Sequence, residues 1–200
     1  MQPTYYEDLN EIGKRIWFML DNAVKDRSSP FRIPVFICGN QDNFDGRVVV
    51  IRKSDQSNKL IQFHTDIRSD KIKKLKDNNN ASMVFYDKEE KIQVRVKVEC
   101  TINHENEITK QSWLKTGHMS RKCYLVDNGP GTVSSTPTSG LKPELDNFEF
   151  TMEQSEKGYK NFIVIQCKIK SLEWLYLAAK GHRRARLEFF DYTKGYWLVP

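Results

Sequence analysis

Arg47-Val-Val-Val-Ile-Arg52, Leu60-Ile-Gln-Phe-His-Thr-Asp66, Arg68-Ser-Asp-Lys71 and Lys91-Ile-Gln-Val-Arg95 follow one another within residues 47–95 and decide how the chain reads. Two short apolar runs with cationic ends lead into a small, polar and basic knot that opens a helix. A strand alternating polar and apolar residues comes next. Arg47 and Arg52 supply fixed cations, Arg68 and Lys71 flank Ser69, and Ile72 and Leu75 follow at the spacing of a helix with one buried side. A helix start offers free backbone N–H groups, and with a hydroxyl and two cations beside them it suits a phosphate. The same residues also fit an ordinary helix start with Asp66 or Ser69 as N-cap. Arg47 and Arg52 are an odd number of residues apart, so on a regular strand they point opposite ways, and both reach one ligand only if the strand bends.

Outward from this stretch the chain reads as many short antiparallel strands with helices between them. Leu9, Ile12, Ile16, Leu20 and Val24 recur at helical intervals, which predicts an N-terminal helix over 5–25 within residues 1–27. Strands are expected at 32–38, 46–53, 59–65, 81–86 and 91–102, with a helix at 69–78. Val94, Val96, Val98 and Cys100 alternate with Gln93, Arg95, Lys97 and Glu99, so one face of that last strand is buried. Val48 to Ile51 is apolar on both faces, as for a strand covered on both sides. A helix over 104–118 and a short one over 145–157 are expected, then strands at 161–168, 171–177 and 184–192. Residues 120–141 form a long irregular loop containing Asn128-Gly-Pro-Gly131 and Ser134-Ser-Thr-Pro-Thr-Ser-Gly140, longer than most connections. The pattern predicts an α+β fold, an antiparallel barrel with peripheral helices, as a single domain over 1–200. No Gly-x-Gly-x-x-Gly or Walker sequence argues for a parallel nucleotide-binding sheet.

Composition narrows the function. The chain has 200 residues, 38% hydrophobic and 29% charged, and no apolar run approaches the ~20 residues that span a bilayer. No membrane partner is expected. The N-terminus lacks the basic and apolar regions of a signal peptide, so a cytoplasmic location is expected. Cys38, Cys100, Cys123 and Cys167 lie in no Cys-x-x-Cys pair, which argues against a zinc site and for reduced thiols, with no metal expected. A net charge of +6 favours anionic partners, a phosphorylated or otherwise anionic small molecule or nucleic acid. The basic residues are dispersed, densest at His182-Arg-Arg-Ala-Arg186, without an RNA-binding aromatic signature. No nucleic-acid partner is therefore predicted.

The succession Arg47-x-Val49-x-x-Arg52, His64-Thr65 ending a strand, Ser69-x-Lys71 opening a helix and Gln93-Val94 in a later strand resembles the FMN-binding half of the pyridoxamine 5'-phosphate oxidase family. A second match lies near the end, where Trp174, Lys180, His182 and Arg184 stand at the spacing at which the family carries Trp, Arg, His and Arg. The resemblance covers residues from about 32 onward and implies an FMN-binding split barrel acting as a homodimer. Position by position it implies Arg47, Ser69 and Lys71 as phosphate ligands, Val48, Val49 and Val50 as backbone beside the ring, and Gln93 as a ring ligand. Arg52 stands where the family commonly has Lys, and His64 and Thr65 where it often has Tyr-Thr. Trp174 and Arg184 are implied to reach FMN from the second subunit. Read from the residues alone, Trp174 also suits a core position and His182 an exposed barrel edge.

Departures are informative. The family often has Arg directly before the Lys, where this chain has Asp70, and Arg68 stands two residues earlier as a substitute. On the substrate side Arg121, Tyr124, Lys180 and His182 are the implied residues, with Arg52 and His182 nearest the chemistry. Lys180 replaces an Arg and lacks its planar fork. The segment after Ser120-Arg121 gives way to the Gly/Ser/Pro/Thr loop, and the chain ends Trp197-Leu-Val-Pro200 where the family tends to have Arg-Leu-x-Pro. The implied activity is hydride transfer from a small substrate to FMN. The alternatives are a flavin- or NAD(P)H-dependent reductase on the same fold, or a protein that holds FMN, haem or nucleic acid without turnover.

Overall fold

The structure is a computed structural model that describes residues 4–40, 42–146 and 150–200. Its centre is a nine-stranded antiparallel sheet in which β7 (Phe162–Tyr176) is the spine. β2 (Asp45–Val48), β1 (Val35–Cys38), β5 (Asn80–Asp87) and β6 (Ile92–Asn103) lie on one side of it, in that order inward. β4 (Leu60–Asp66) and β3 (Ile51–Asp55) lie on the other. β7 pairs with β6 along almost its whole length, with β4 through residues 162–168 and with β8 (Arg183–Phe189) through residues 171–176. β9 (Thr193–Leu198) pairs with β8. The two ends of the main path, β2 and β3, are consecutive in sequence and joined only by Val49-Val50. No ladder connects them, so the barrel is split, as the family resemblance implies.

Alternation builds the interior. Val94, Val96, Val98 and Cys100 of β6 are buried while Arg95 and Lys97 are exposed, and β5 repeats the pattern with Ala81, Met83 and Phe85. Phe31, Phe36, Phe63 and Phe85 fill the centre, with ring centroids 5.1 Å apart for Phe31–Phe85 and 5.0 Å for Phe36–Phe63. α1 (Leu9–Lys25) closes the barrel with Ile12, Ile16, Trp17 and Leu20. The Asp8 carboxylate caps it, accepting from the N–H groups of Asn10 at 2.8 Å and Glu11 at 3.1 Å. α2 (Asp70–Asp77) is amphipathic and buries Ile72 and Leu75.

Five expectations need correction. The run 46–53 is not one strand covered on both faces: it breaks at Val49-Val50, with Val48 65% exposed and Val49 buried. The Val49 N–H turns to the Pro34 carbonyl at 3.1 Å. Residues 161–177 are one strand rather than two, because a register shift opposite Lys97/Val98, which leaves Lys170 unpaired, absorbs the irregularity without ending the ladder. The segment 184–192 is the first arm of a hairpin whose second arm, β9, takes up most of the apparent C-terminal tail. The helix over 104–118 is shorter: the reciprocal capping of Asn106 and Thr109 starts α3 (Glu107–Leu114), and α4 (His118–Arg121) follows Gly117. At 145–157 two short helices, α5 (Pro143–Asp146) and α6 (Met152–Glu156), stand on either side of residues 147–149, which lie outside the described residues.

A smaller core of Trp113, Tyr124, Phe162 and Val164 seats α3 on the outer face of β4 and β7. The long loop leaves this core and returns to it. Its neck is tied by the Asp127 N–H to the Gly140 carbonyl at 3.1 Å. Among the described residues no helix is long and apolar enough to cross a membrane.

Candidate functional site

The end of β4, the turn after it and the first turn of α2 meet Arg47 of β2. The Lys71 ammonium is buried, its residue 7% exposed, and donates to Thr65 Oγ1 at 2.8 Å and to Ser69 Oγ. Ser69 occupies the N-cap position, but its hydroxyl makes no bond to the helix N–H groups because it serves Lys71 instead. The N–H groups of Asp70 and Lys71 have no acceptor among the described residues. Burial, followed by the charge of Arg47, pushes Lys71 down to about 8. The Arg47 guanidinium pairs with Asp45, yet its Nε is buried with no partner. Lys74 lies in the same cluster, 3.6 Å from Asp45 and 3.3 Å from Asp70.

A phosphate monoester fits this set. It would accept from the orphaned Arg47 Nε and the two free N–H groups, and its charge would offset the repulsion between Arg47 and Lys71. Arg68 does not belong with them. Its Nε and Nη2 bind the Asp66 carboxylate at 3.0 and 2.7 Å, and its Nη1 donates to the Val126 and Asp127 carbonyls at 3.0 Å each. It bolts the neck of the long loop to the turn before Ser69. The expected substitution of Arg68 for the missing Arg is thereby overturned.

Four residues beyond Val48 the chain reaches Arg52. The register between β3 and β4 shifts here, Ile51 facing Phe63 and Lys53 facing Gln62, so Arg52 is an extra residue in a bulge. The chain thus bends twice between Arg47 and Lys53, at the Val49-Val50 break and at this bulge. Arg52 lines a cavity of about 550 Å³ between α3 and the sheet, with Lys53, Gln62, His64, Gln111, Ser112, Lys115 and Gln166. Gln62 Nε2 donates to Ser112 Oγ at 3.2 Å and stands 3.5 Å from His64 Nε2. Burial, and then Arg52, push His64 down to about 3, so its imidazole is neutral at physiological pH.

Arg121 and Tyr124, expected on the substrate side, are elsewhere. Arg121 is 1% exposed and lies 4.5 Å over the Trp113 ring, donating to the Trp113 carbonyl at 2.8 Å and the Thr116 carbonyl at 3.1 Å and pairing with Glu156. It is a structural clamp between α3 and α6. Tyr124 is buried against Trp113 and Phe162. The wall expected from these two comes from α3, through Gln111, Ser112 and Lys115. The signal for it was a polar stripe on a short helix, together with Gln62 standing in the otherwise apolar Ile61-Gln62-Phe63.

The C-terminal set splits. Trp174 is 1% exposed and sits in its own chain's core, 5.3 Å from the Tyr6 ring, with Tyr6 stacked at 4.2 Å on Tyr176. In register it faces Val94 and Ala185, whereas Leu175 faces Gln93 and Arg184, so Trp174 and Arg184 point to opposite sides of the sheet. The core position wins, and Trp174 is not available to a ligand on the outer face. Arg184 Nε and Nη2 bind Glu173 Oε1 at 3.0 and 2.7 Å, and Arg95 pairs with the same carboxylate. His182 Nδ1 accepts from the Ala178 N–H at 3.1 Å, in a turn that Gly181 makes at φ +118°. His182 and Arg184 line a second cavity of about 470 Å³ with Trp197 and Pro200, while Lys180 is exposed beside it. Gln93 lies on the outer face three strands from Arg47. Within one chain Arg47, Thr65, Ser69 and Lys71 come together, Arg52 and His64 share the cavity against α3, and Gln93, His182 and Arg184 are apart from both.

Residues 19–104 match the family model described as pyridoxamine 5'-phosphate oxidase, FMN-binding domain. The fold is similar to a pyridoxamine 5'-phosphate oxidase-related FMN-binding protein from Nostoc punctiforme, with a TM-score of 0.74 at 15% identity over 94% of this chain and 96% of that one. It is equally similar to PhzG from Burkholderia lata, crystallised with tetrahydrophenazine-1-carboxylic acid, with a TM-score of 0.73 at 16% identity over 100% of this chain and 98% of that one. Comparison with curated proteins returns no match. The match over residues 19–104 takes in the whole Arg47–Lys71 cluster and makes that part of the chain similar to an FMN-binding domain, and the fold as a whole is shared with these two proteins.

Proposed function

We propose that this protein is an FMN-dependent oxidoreductase that moves a hydride between a small anionic substrate and flavin. The observation that carries the reading is a phosphate-ready cluster, with its orphaned Arg47 Nε, at the end of the same strand β4 whose Gln62 and His64 line a cavity rimmed by Arg52, Lys53 and Lys115. Arg47, Ser69, Thr65 and Lys71 hold the FMN phosphate. The backbone from Val48 to Val50 runs beside the ring. FMN supplies the hydride chemistry. Arg52 then orients the substrate's anionic group in the cavity. His64, neutral and edge-on to Phe162 at 4.8 Å, offers hydrogen bonding without a competing charge.

The chain works as a homodimer in this reading. Gln93 and Arg184 lie on the outer face of the sheet, as do the exposed Val35, Val48 and Tyr86, and a second copy laid on that face would bring Gln93, His182 and Arg184 to the flavin of its partner. The reductase alternative on the same fold is favoured by the absence of Arg121 from the cavity. The test is optical: protein titrated with FMN should develop a bound flavin spectrum, and anaerobic addition of candidate donors should bleach it. A protein that takes up no FMN removes the proposal, and one that binds FMN but is bleached by no donor reduces it to a binding protein.

A further inference from the structure

Cys100 of β6 and Cys167 of β7 are directly opposed in register, are both buried, and hold their Sγ atoms 3.7 Å apart. The backbone decides how close they stand. The Cys100 N–H donates to the Asn79 carbonyl at 2.8 Å, on the β5 side. The Ile169 N–H donates to the Lys59 carbonyl at 2.7 Å, on the β4 side, and Cys167, two residues earlier on the same strand, points its own amide the same way. Each cysteine thus turns its backbone groups away from the other, and the two form a non-hydrogen-bonded pair of the antiparallel ladder. In such a pair the Cα atoms approach to about 4.5 Å, and a disulfide accepts Cα separations of roughly 4.4–6.8 Å. A bond between the two sulfurs asks for no movement of either strand.

The other thiols stand apart from this pair. Cys38 lies on β1, two strands beyond β6, and Cys123 is exposed outside the sheet. Among the described residues no three His, Cys, Asp or Glu side chains are placed to hold a metal ion, which leaves two-electron thiol chemistry as what the pair can do. Residues 101–166 carry α3, the long loop and α6, so a bond here closes that whole excursion at its base on the sheet.

We propose that Cys100 and Cys167 are a redox-set lock, a dithiol that a peroxide oxidises to a disulfide across the spine of the sheet. Cys100, 5% exposed against 0% for Cys167, meets the oxidant. Its sulfur takes one peroxide oxygen as the O–O bond breaks, giving a sulfenic acid and releasing water or an alcohol. The Cys167 sulfur then attacks the sulfenic sulfur, its proton leaves with the hydroxyl as water, and the S–S bond forms. Two electrons pass from the two thiols to one peroxide. Burial pushes the Cys167 thiol up, so it stays protonated until that step and the lock sets slowly. The lock goes beyond the FMN-dependent reading and does not depend on it.

The experiment uses the full chain carrying Cys123→Ser, which removes the exposed thiol, treated with hydrogen peroxide while folded and then alkylated in denaturant. Peptide mapping should find one new link, Cys100 to Cys167, with Cys38 still free. The thermal midpoint should rise by about 10 °C, as for a bond that closes a long loop, and dithiothreitol should return it. Cys167→Ala should stop at a sulfenic acid on Cys100, trapped by dimedone, with no rise. A link that contains Cys38, Cys100 carried on to the sulfinic acid without a link, or a link that leaves the midpoint unchanged overturns the proposal. So do two thiols still free after an exposure that fully oxidises the same chain in denaturant.

Discussion

Arg47 lies close enough to Lys71 to lower its proton affinity, and both are held in place before any anion arrives. A Lys brought from 10.5 down to about 8 on folding binds its proton less well folded than unfolded. Below about 8 the folded state carries the whole penalty, and the penalty is relieved as pH rises from about 8 to 10.5, so the anion-free protein gains stability across that window. A bound phosphate reverses the shift. Calorimetry in buffers of different ionisation enthalpy should show FMN binding taking up protons near pH 8 to 9, with affinity falling as pH rises through that range, and Lys71→Met should abolish the uptake.

Arg47→Ala and Lys71→Ala should each weaken FMN. A hydrogen bond to a charged group contributes about 1.5 to 3 kcal/mol, roughly ten- to a hundredfold in affinity. Fluorescence titration of the flavin-free variants checks this, and unchanged affinity in both would move the phosphate elsewhere.

Arg121→Ala should behave differently. It removes a buried guanidinium from the Trp113 ring and from two carbonyls, and the Glu156 carboxylate it leaves behind is about half exposed and can turn to water. A loss of about 2 to 4 kcal/mol of stability is expected. Denaturant melts should register it, while the FMN affinity of the folded protein stays within about twofold of the parent, against the substrate role that Ser120-Arg121 suggests in sequence.

Val48 is 65% exposed, Tyr86 51% and Val35 39% on the face assigned to the second copy. Val48→Glu should lower the sedimentation coefficient to that of a monomer and weaken FMN retention together. A variant that stays dimeric and keeps its flavin would place the partner on another face.

Pyridoxamine and pyridoxine 5'-phosphates should be poor substrates. Arg121 is absent from the cavity, Lys180 replaces a fork by a point charge, and reaction is sensitive to a misplacement of ~1 Å. Pyridoxal 5'-phosphate formation under air measures it, and turnover at the rate of a dedicated oxidase would mean that Arg52 and Lys115 rebuild the phosphate site.

That Thr65, Ser69 and Lys71 meet was legible because the cluster is local: β4, one turn and the start of α2 carry all three within seven residues. The barrel was legible because β5 and β6 alternate cleanly. What stayed hidden depends on pairs far apart in sequence. That Arg68 is held by the loop neck at Val126, that Trp174 lies beneath Tyr6, and that Arg121 pairs with Glu156 are decided by partners 35 to 168 residues away. Motif spacing gives the identity of such residues but not the side of the sheet they face. The floor of the cavity was hidden for the same reason, since Gln62 and Gln166 meet only through the register of β4 on β7.

β7 serves both halves of the sheet, paired through residues 162–168 to β4 and through 171–176 to β8 while β6 follows it nearly throughout. Neither half can open at this strand without releasing backbone bonds that the other shares. The amides of β6 and β7 should therefore exchange with deuterium at one common, slowest rate, set by global unfolding rather than by local fraying. The β8–β9 hairpin, attached along one edge, should exchange earlier, so the strand that carries Gln166 at one end and backs Arg184 at the other is the last part of the protein to come apart.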